Sequence, residues 1–301
     1  MLELNTFSIV AHCPRTGQLG VAVASAVPAV GAMCPYMRAG VGAVSTQSWV
    51  NPYLAIHVLD RLAEGLPAPD ALAAALEIDD RTDLRQFGLV DARGGAAAWT
   101  GEACTGWAGQ HTGEGYAVQG NMLAGPGVVT AMVEAFEAST DHELDERLMR
   151  ALEAGDAAGG DKRGKQSAAL RIVADQDYAL LDLRVDEHAT PVGDLRRILE
   201  VARLQLLPFV AGMPRRGTVA GPVPNDVVAM LLHAPAQRPG APVKQALDLL
   251  TEVIGLERDP RRVTHLLAQF KPVLAEIDKL RALDLSDVHP PVVFDPSLPY
   301  L

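Results

Sequence analysis

The sequence predicts an α+β fold in which helices stack on antiparallel sheets. Over residues 1–207, groups of strand-like segments alternate with pairs of helix-like segments. Short turns join most of the strand-like segments, and strands joined by tight turns pair antiparallel, whereas parallel pairs need a long crossover. Runs of strands followed by runs of helices are typical of the α+β class.

The first hairpin is the element around which the fold is organised. Two short apolar runs, residues 6–11 and 19–25, flank a Pro/Gly-containing turn at residues 14–17, and such turns are a hairpin signal. Successive side chains of a strand point to opposite faces. Thr6 and Ser8 are therefore expected to share one face at the start of a buried strand.

Local signals predict the elements that follow. Residues 26–33 are expected to form a loop, and a small apolar third strand covers residues 39–47. Asn51-Pro52 then marks a helix start, because Asn caps helices and Pro suits the first helical position. Periodicity and turn residues predict helices 53–64 and 69–77, strands 86–91, 96–101 and 116–120, helices 127–138 and 142–153, strands 167–174 and 178–184, and a helix over 192–205.

Prolines divide the rest of the chain. Residues 208–225 are rich in Pro and Gly and predict a linker between a domain at 1–207 and a smaller region at 226–301. That region is expected to be helical over 243–254 and 260–283. Its tail, residues 289–301, contains four prolines and is expected to run extended.

Composition restricts the functional classes. The 301 residues carry a net charge of −11, which argues against nucleic acid or anionic membranes as partners. Cys13, Cys34 and Cys104 have neither close pairing nor metal-ligand spacing, which suits a reducing compartment. Without a secretory signal or an apolar run long enough to span a bilayer, a cytoplasmic protein with no cofactor and no metal is expected.

Thr6 is the first candidate for chemistry. If residues 1–5 were removed, its hydroxyl would stand beside a free α-amine, and such an amine can act as the general base for a nucleophile. The alternative is a threonine that merely begins a strand.

Two further segments carry polar side chains at the ends of predicted strands. Ser45-Thr46-Gln47 and Asn121 could donate hydrogen bonds to a developing oxyanion, or the former could serve only in capping. The loop 159–166 resembles a phosphate loop but lacks its hydroxyl residue and its strand-before-helix order. It could instead bring Lys165 or Ser167 to a pocket, or it could be a solvated basic turn.

Several segments together resemble a known family. They are TFSIVA from Thr6, GVAVAS ending at Ser25, GVGAVSTQ ending at Gln47, WAG from Trp107, AVQGNML from Ala117 and AGDAAGGDKRGKQSAAL from Ala154. Over about residues 5–207 they resemble domain-of-unknown-function family 1028, which is Ntn-hydrolase-like. The resemblance implies a four-layer αββα sandwich and an N-terminal-nucleophile hydrolase of amide or peptide-like bonds, with Thr6 as nucleophile.

That resemblance also implies a processing step. Residues 1–5 precede Thr6, so activity requires cutting the Asn5–Thr6 bond. Proteasome-type relatives place an acid just after the second strand and a lysine near the third, and this chain has neither. Lys165 would then be the electropositive neighbour, or the domain is inactive. The residues expected to line the pocket for a small amide-containing substrate are Ser8, Ser25, Thr46, Gln47, Asn121 and Ser167.

A second resemblance concerns the C-terminal region. The segments LERDP from Leu256, LSDVHP from Leu285 and VFDP from Val293 are similar to small accessory subunits of amidase-signature hydrolases, such as the C subunit of the tRNA-dependent amidotransferase. The resemblance implies that residues 226–301 dock on an amidase partner, so the chain could be an accessory or scaffold protein. The region could equally be a self-packed helical cap, and the pocket at Thr6 could belong to a small-molecule binding module. A homo-oligomer is expected on general grounds.

Overall fold

The structure is a computed structural model that describes residues 6–161, 163–218 and 224–239. The chain divides into two compact units, Met1–Ala241 and Pro242–Leu301, and every described residue belongs to the first. The predicted helices 243–254 and 260–283, the extended tail and most of the predicted amidase-docking region lie outside the described residues, as do residues 1–5.

Ten strands and seven α-helices make up the described part of the chain, which confirms the α+β class. The strands are β1 Thr6–His12, β2 Leu19–Ser25, β3 Pro35–Arg38, β4 Gly42–Ser48, β5 Arg85–Asp91, β6 Ala96–Thr100, β7 Trp107–Gly113, β8 Tyr116–Leu123, β9 Ser167–Val173 and β10 Ala179–Val185. The helices are α1 Val30–Met33, α2 Pro52–Ala63, α3 Ala68–Glu77, α4 Gly127–Glu137, α5 Leu144–Ala157, α6 Pro191–Ala211 and α7 Asn225–Leu232.

The strands form two sheets. The first has six strands in the order β10-β9-β2-β1-β8-β7, and the second has four in the order β3-β4-β5-β6. Every neighbouring pair is antiparallel, and the predicted first hairpin pairs Thr6 with Ser25 at one end and His12 with Leu19 at the other. β1 lies inside the first sheet, between β2 and β8.

Three apolar clusters show how the layers are arranged. The first sheet packs its outer face on α4, α5 and α6, and the second sheet packs its outer face on α2 and α3. The inner faces of the two sheets pack on each other through a cluster that contains Val10, Val21, Ala43, Val90 and Ala117. Because burial of apolar area is the main source of stability, these three clusters hold the described unit together.

β1 shows the alternation that the sequence predicted. Phe7 and Ile9 pack in the helix-facing cluster, whereas Val10 belongs to the cluster between the sheets. Thr6 and Ser8 therefore point between the sheets, as Val10 does. Along this face of β1, the layer between the sheets changes from polar at Thr6 to apolar at Val10.

Some elements differ from the prediction, although the helix start at Asn51 is confirmed: its side chain accepts a hydrogen bond from the Tyr53 amide, and Pro52 occupies the first turn. A short helix, α1, lies inside the predicted loop 26–33, and β3, β7 and α7 were not predicted. α6 continues past Pro208 to Ala211, so the first residues assigned to the linker are helical. In the described part of the chain, no helix combines the length and apolar character needed to cross a membrane.

Candidate functional site

A row of four polar residues crosses the first sheet at the end where β1 begins. Thr6 pairs with Ser25 on one side and with Asn121 on the other, and Ser25 pairs with Ser167. Residues paired in register share a face of the sheet, so all four start from the face between the sheets. Each is at most 2% exposed, although all are polar.

The members of this row make different contacts. The Thr6 hydroxyl donates to Ser25 Oγ at 3.1 Å. Ser167 instead donates to the Val27 carbonyl at 2.5 Å and accepts from the Val30 amide at 3.1 Å. Ser167 therefore fixes the segment that leads into α1, while Ser25 orients the Thr6 hydroxyl.

The second sheet supplies two glutamines that face this row. Gln47 on β4 and Gln86 on β5 are cross-strand partners. Gln47 Nε2 donates to the Thr6 main-chain carbonyl at 3.2 Å and to Gln86 Oε1 at 2.8 Å. Asn121 Nδ2 also donates to Gln86 Oε1, at 2.9 Å. The first carbonyl of β1 is thus held by the opposite sheet.

Ser8 extends the contacts one step along β1. Its hydroxyl donates to Gln47 Oε1 at 2.6 Å and accepts from Gln119 Nε2 at 2.6 Å. The Gln119 carboxamide fits only because residue 88 is glycine, since a Cβ at Gly88 would lie 2.0 Å from Gln119 Oε1. We refer to the connected set as the inter-sheet polar network: Thr6, Ser8, Ser25, Gln47, Gln86, Gln119 and Asn121.

Two buried acceptors beside this network lack a hydrogen-bond partner among the described residues. They are Gln119 Oε1 and the hydroxyl of Ser45. Ser45 is the cross-strand partner of Gly88, the residue against which Gln119 lies. Buried polar atoms without a partner are rare in proteins, so the hydrogen-bonding capacity of these residues is not fully used by the protein itself.

All seven side chains of the network are uncharged at neutral pH. None of them can act as a strong general base, so nucleophilic chemistry at Thr6 would need a base from elsewhere. In the intact chain the Thr6 nitrogen belongs to a peptide bond, and Thr6 is only 1% exposed. Cutting the Asn5–Thr6 bond would supply an amine next to the hydroxyl.

Besides Ser167, two of the predicted site residues make their contacts outside this network. Lys165 Nζ forms an ion pair with Asp156 Oδ2 at 2.7 Å, and no contact with Thr6 is found among the residues described. Thr46 follows the alternation of β4 and points away from Gln47, toward the helices on the outer face. The structure therefore brings Thr6, Ser8, Ser25, Gln47 and Asn121 into one network, which does not include Thr46, Lys165 or Ser167.

The sequence has no acid directly after the second strand, but the fold places the buried carboxylate of Asp161 there. Asp161 Oδ2 accepts from the Ala26 amide at 3.0 Å, directly after Ser25, and Oδ1 accepts from the Arg163 amide at 2.8 Å. Asp161 is 3% exposed and pairs with the Arg163 side chain at 3.4 Å. The glycine-rich loop thus delivers an acid to the end of β2, from a distant part of the chain.

Sequence reasoning missed Gln86, Gln119 and Asp161. Gln119 could have been found because it lies two residues before Asn121 on one strand and so shares its face. Gln86 begins a strand, and only the packing of one sheet on the other reveals its role. For Asp161, the signal was the GGDKRGK loop, which was interpreted through its lysine.

The buried thiol of Cys34 and possible metal ligands were considered as further reactive groups. Burial raises the pKa of the Cys34 thiol to about 12, so it stays protonated and is a poor nucleophile. Within residues 6–161, 163–218 and 224–239, no group of three or more His, Cys, Asp or Glu side chains is placed to hold a metal ion.

The chain was compared with family models, with curated proteins and with solved structures. A family model described as a family of unknown function, DUF1028, matches residues 6–195. The crystal structure of a protein from Silicibacter pomeroyi that carries this family model is 31% identical, with a TM-score of 0.66 over 70% of this chain and 92% of that chain. A second structure, Anbu (ancestral beta-subunit) from Yersinia bercovieri, is 12% identical with a TM-score of 0.32 over 70% of this chain and 100% of that chain. None of the curated proteins compared with the chain matches it.

Proposed function

The chain belongs to the DUF1028 family, and from this premise and the geometry of the inter-sheet polar network we propose that it is an N-terminal-nucleophile hydrolase. Thr6 is the nucleophile, and the bond hydrolysed is an amide or peptide-like C–N bond. The enzyme becomes active when the Asn5–Thr6 bond is cut.

The layer arrangement supports this proposal. Two antiparallel sheets face each other, and helices cover the outer face of each. We assign this arrangement to the four-layer αββα sandwich of Ntn hydrolases, in which the nucleophile begins an inner strand. β1 is an inner strand of its sheet, and Thr6 is its first residue.

The observation that carries the proposal is the placement of Thr6 at the polar end of the layer between the sheets. Its hydroxyl is oriented by Ser25, and its carbonyl is held by Gln47. The helix-facing side of β1 is apolar, whereas Thr6 and Ser8 on its other side are polar and buried. Burying hydroxyls and carboxamides costs free energy unless they are paired.

The chemistry follows from these contacts. The freed α-amine takes the proton of the Thr6 hydroxyl, whose oxygen attacks the substrate carbonyl and forms an ester with the acyl group. The amine product leaves with that proton, and water then hydrolyses the ester. Gln86 positions Asn121, whose amide group is a candidate hydrogen-bond donor to the oxyanion of the tetrahedral intermediate.

The decisive experiment compares chains that differ only in their N-terminus. A fusion cut by a specific protease gives a chain that begins at Thr6, and it is tested beside the full-length chain and a Thr6→Ala chain that begins at residue 6. Each is incubated with a β-lactone probe, which acylates nucleophilic hydroxyls, and analysed by intact-mass and peptide mass spectrometry. We expect one adduct on Thr6 in the trimmed chain, and none on the other two.

Hydrolysis of a panel of chromogenic amides by the same three proteins tests turnover directly. Thr6→Ser in the trimmed chain should keep measurable activity, because serine retains the hydroxyl. A trimmed, folded chain that is neither acylated at Thr6 nor active on any amide would contradict the proposal. Such a result would favour an accessory protein over an enzyme. The accessory role, the amidase partner, the homo-oligomer and the role of Lys165 remain predictions.

A further inference from the structure

A second candidate site lies at the opposite end of the first sheet. A cavity of about 420 Å³ is formed where the turns β1–β2, β5–β6 and β7–β8 meet the end of α4 and the side of α5. Backbone hydrogen bonds join these turns: the His12 amide donates to the Gly115 carbonyl at 2.8 Å, and the Gly115 amide donates to Gly94 at 3.1 Å. At about 3.3 Å per residue, His12 lies roughly 20 Å from Thr6 along β1.

Positive charge is concentrated in this cavity. Arg15, Arg93 and Arg147 line it from three separate elements, and Glu114 is the acidic side chain on the lining. The chain as a whole has a net charge of −11. Three arginine residues on the lining of one cavity are therefore contrary to the overall charge, and like charges that lie close together repel unless an anion lies between them.

Arg147 is half-buried, and among the described residues no carboxylate pairs with its guanidinium group. Within the described part of the chain it forms no ion pair, and its Nε is buried without a hydrogen-bond acceptor. Its contacts are with Phe136: Cζ lies 3.9 Å from the ring centroid, and Nη2 donates to the carbonyl at 3.4 Å. Burial lowers the pKa of Arg147; the neighbouring Cys13 acts to raise that pKa, and the charge of Arg15 acts to lower it.

The other two arginines hold only weak or neutral partners. Arg93 Nη2 donates to the Gly65 and Leu66 carbonyls at 3.2 and 3.4 Å. Arg15 donates to the His142 carbonyl at 2.6 Å and approaches Glu143 at 3.6 Å, with both side chains at least half exposed. Exposed pairs of this kind contribute little, so both guanidinium groups remain available to a ligand.

The thiol of Cys13, which also lines the cavity, has a shifted pKa. Burial acts to raise the pKa of Cys13, but hydrogen bonds from Thr16 and Arg15 outweigh it and lower the pKa. The end of the first hairpin therefore already stabilises negative charge.

We propose that this cavity binds a small organic anion that carries carboxylate or phosphate groups, with Arg15, Arg93 and Arg147 as its ligands. Guanidinium groups match both anions in geometry, because they present parallel N–H donors to two oxygens. The cavity volume lies in the lower part of the range for small-molecule sites. The site is separate from Thr6 and does not depend on the proposed hydrolase activity.

Isothermal titration of the full-length chain tests the proposal with two probes, citrate and inorganic phosphate, each at constant ionic strength against a sodium chloride reference. We expect saturable binding of at least one probe with one site per chain. Arg147→Gln should weaken it by about tenfold or more, as expected for loss of charged hydrogen bonds. Arg38→Gln is the matched control, because it removes the same charge from an exposed ion pair between Arg38 on β3 and Asp60 on α2.

Glu114→Gln provides a test that misfolding cannot imitate. Glu114 is exposed on the rim of the cavity, and removing its negative charge should tighten binding about two- to threefold or more. Circular dichroism checks the fold of each variant, and Arg93→Gln replaces Arg147→Gln if the latter is unfolded. Absence of binding of both probes to the parent chain, or equal affinities for Arg147→Gln and Arg38→Gln, would overturn the proposal.

Discussion

Gln86 is the side chain through which the two sheets share a hydrogen-bonded centre. Its Oε1 accepts from both Gln47 and Asn121, and its Nε2 donates to Thr100 Oγ1 and to the Gly120 carbonyl at 2.8 Å. Inside a protein such bonds polarise one another, and leaving a member unpaired costs more than the bond contributes when made. Gln86 therefore fixes the spacing between the sheets at the site.

Replacing Gln86 by leucine should lower the free energy of unfolding by about 2–4 kcal/mol, because several buried polar groups lose their partner. Urea unfolding at equilibrium measures the change. Gln237→Leu is the control, since Gln237 is exposed, lies far along the chain from the network and undergoes the same chemical change. Equal costs for the two variants would show that burial of the network contributes no stability.

A second prediction concerns Gly88 and the carboxamide that lies against it. Gly88→Ala places a methyl group 2.0 Å from Gln119 Oε1, so the carboxamide must leave Ser8. We expect the variant to be destabilised by about 2 kcal/mol.

A double-mutant cycle tests the cause. In a Gln119→Ala background the space is open, so adding Gly88→Ala should cost much less than it does in the parent. Additive costs, within about 0.5 kcal/mol, would mean that Gly88 is required for a reason other than Gln119.

At the scale of elements, ion pairs fasten α6 to α5. Arg196 and Arg203 on α6 both donate to Glu146 Oε2 on α5, at 2.6 and 2.8 Å, and Arg150 donates to Glu146 Oε1 at 2.7 Å. Burial opposes ionisation of Glu146, but hydrogen bonds from Arg196, Arg150 and Arg203 outweigh it and lower its pKa to about 2. The carboxylate is 16% exposed, so screening by water is limited.

The pH dependence of this contact follows from the sign of the shift. The folded-state pKa lies below the ordinary value of 4.5, so the contribution of Glu146 is complete above about pH 4.5 and is lost as the pH falls toward 2. At pH 7, Glu146→Gln should cost about 2 kcal/mol in urea unfolding.

The same variant should cost clearly less at pH 3, because the carboxyl is then protonated in the unfolded parent while it is still charged in the folded one, so unfolding of the parent is favoured by proton uptake. Glu102→Gln, at an exposed position, is the control at both pH values. A cost for Glu146→Gln that does not fall with pH would mean that packing, and not charge, explains the effect.

Most elements of the fold could be predicted from local patterns, and the exceptions have physical causes. β7 is an edge strand with two glycines, and its three polar residues, Gln110, His111 and Thr112, are exposed, so its sequence lacks a strand signal. α6 continues through Pro208 because Leu206 and Leu207 pack on the helix-facing core, and tertiary contact outweighs the lost hydrogen bond.

The candidate site was predictable only in part for a similar reason. Alternation along β1 placed Thr6 and Ser8 on one face, and polar residues at the ends of predicted strands pointed to Gln47 and Asn121. Gln86 and Asp161 come from distant parts of the sequence and meet the site only through sheet packing and loop placement. Strand periodicity contains no information about such contacts.

At the scale of the whole molecule, β1 connects two sites of opposite character. Its first residue lies in a neutral polar network that can position a nucleophile, and its last residue borders a cavity lined by three arginines. Between them, Val10 packs in the apolar cluster that joins the sheets. The same packing that buries the polar network thus separates it from the charged cavity, so ligands at the two sites do not compete for space.

The extent of the first unit leads to the last prediction. α7 packs on α6 with Val227 buried, and Gln205 Nε2 donates to the Pro239 carbonyl at 2.7 Å. A chain that ends at residue 239 keeps these contacts and should unfold in one cooperative transition. A chain that ends at residue 207, the domain boundary predicted from sequence, loses α7 and the last turn of α6. It should be less stable by about 2 kcal/mol or more, since the apolar side of α6 is uncovered. Urea unfolding of the two truncated chains measures the difference, and equal midpoints with equal slopes would place α7 outside the cooperative unit.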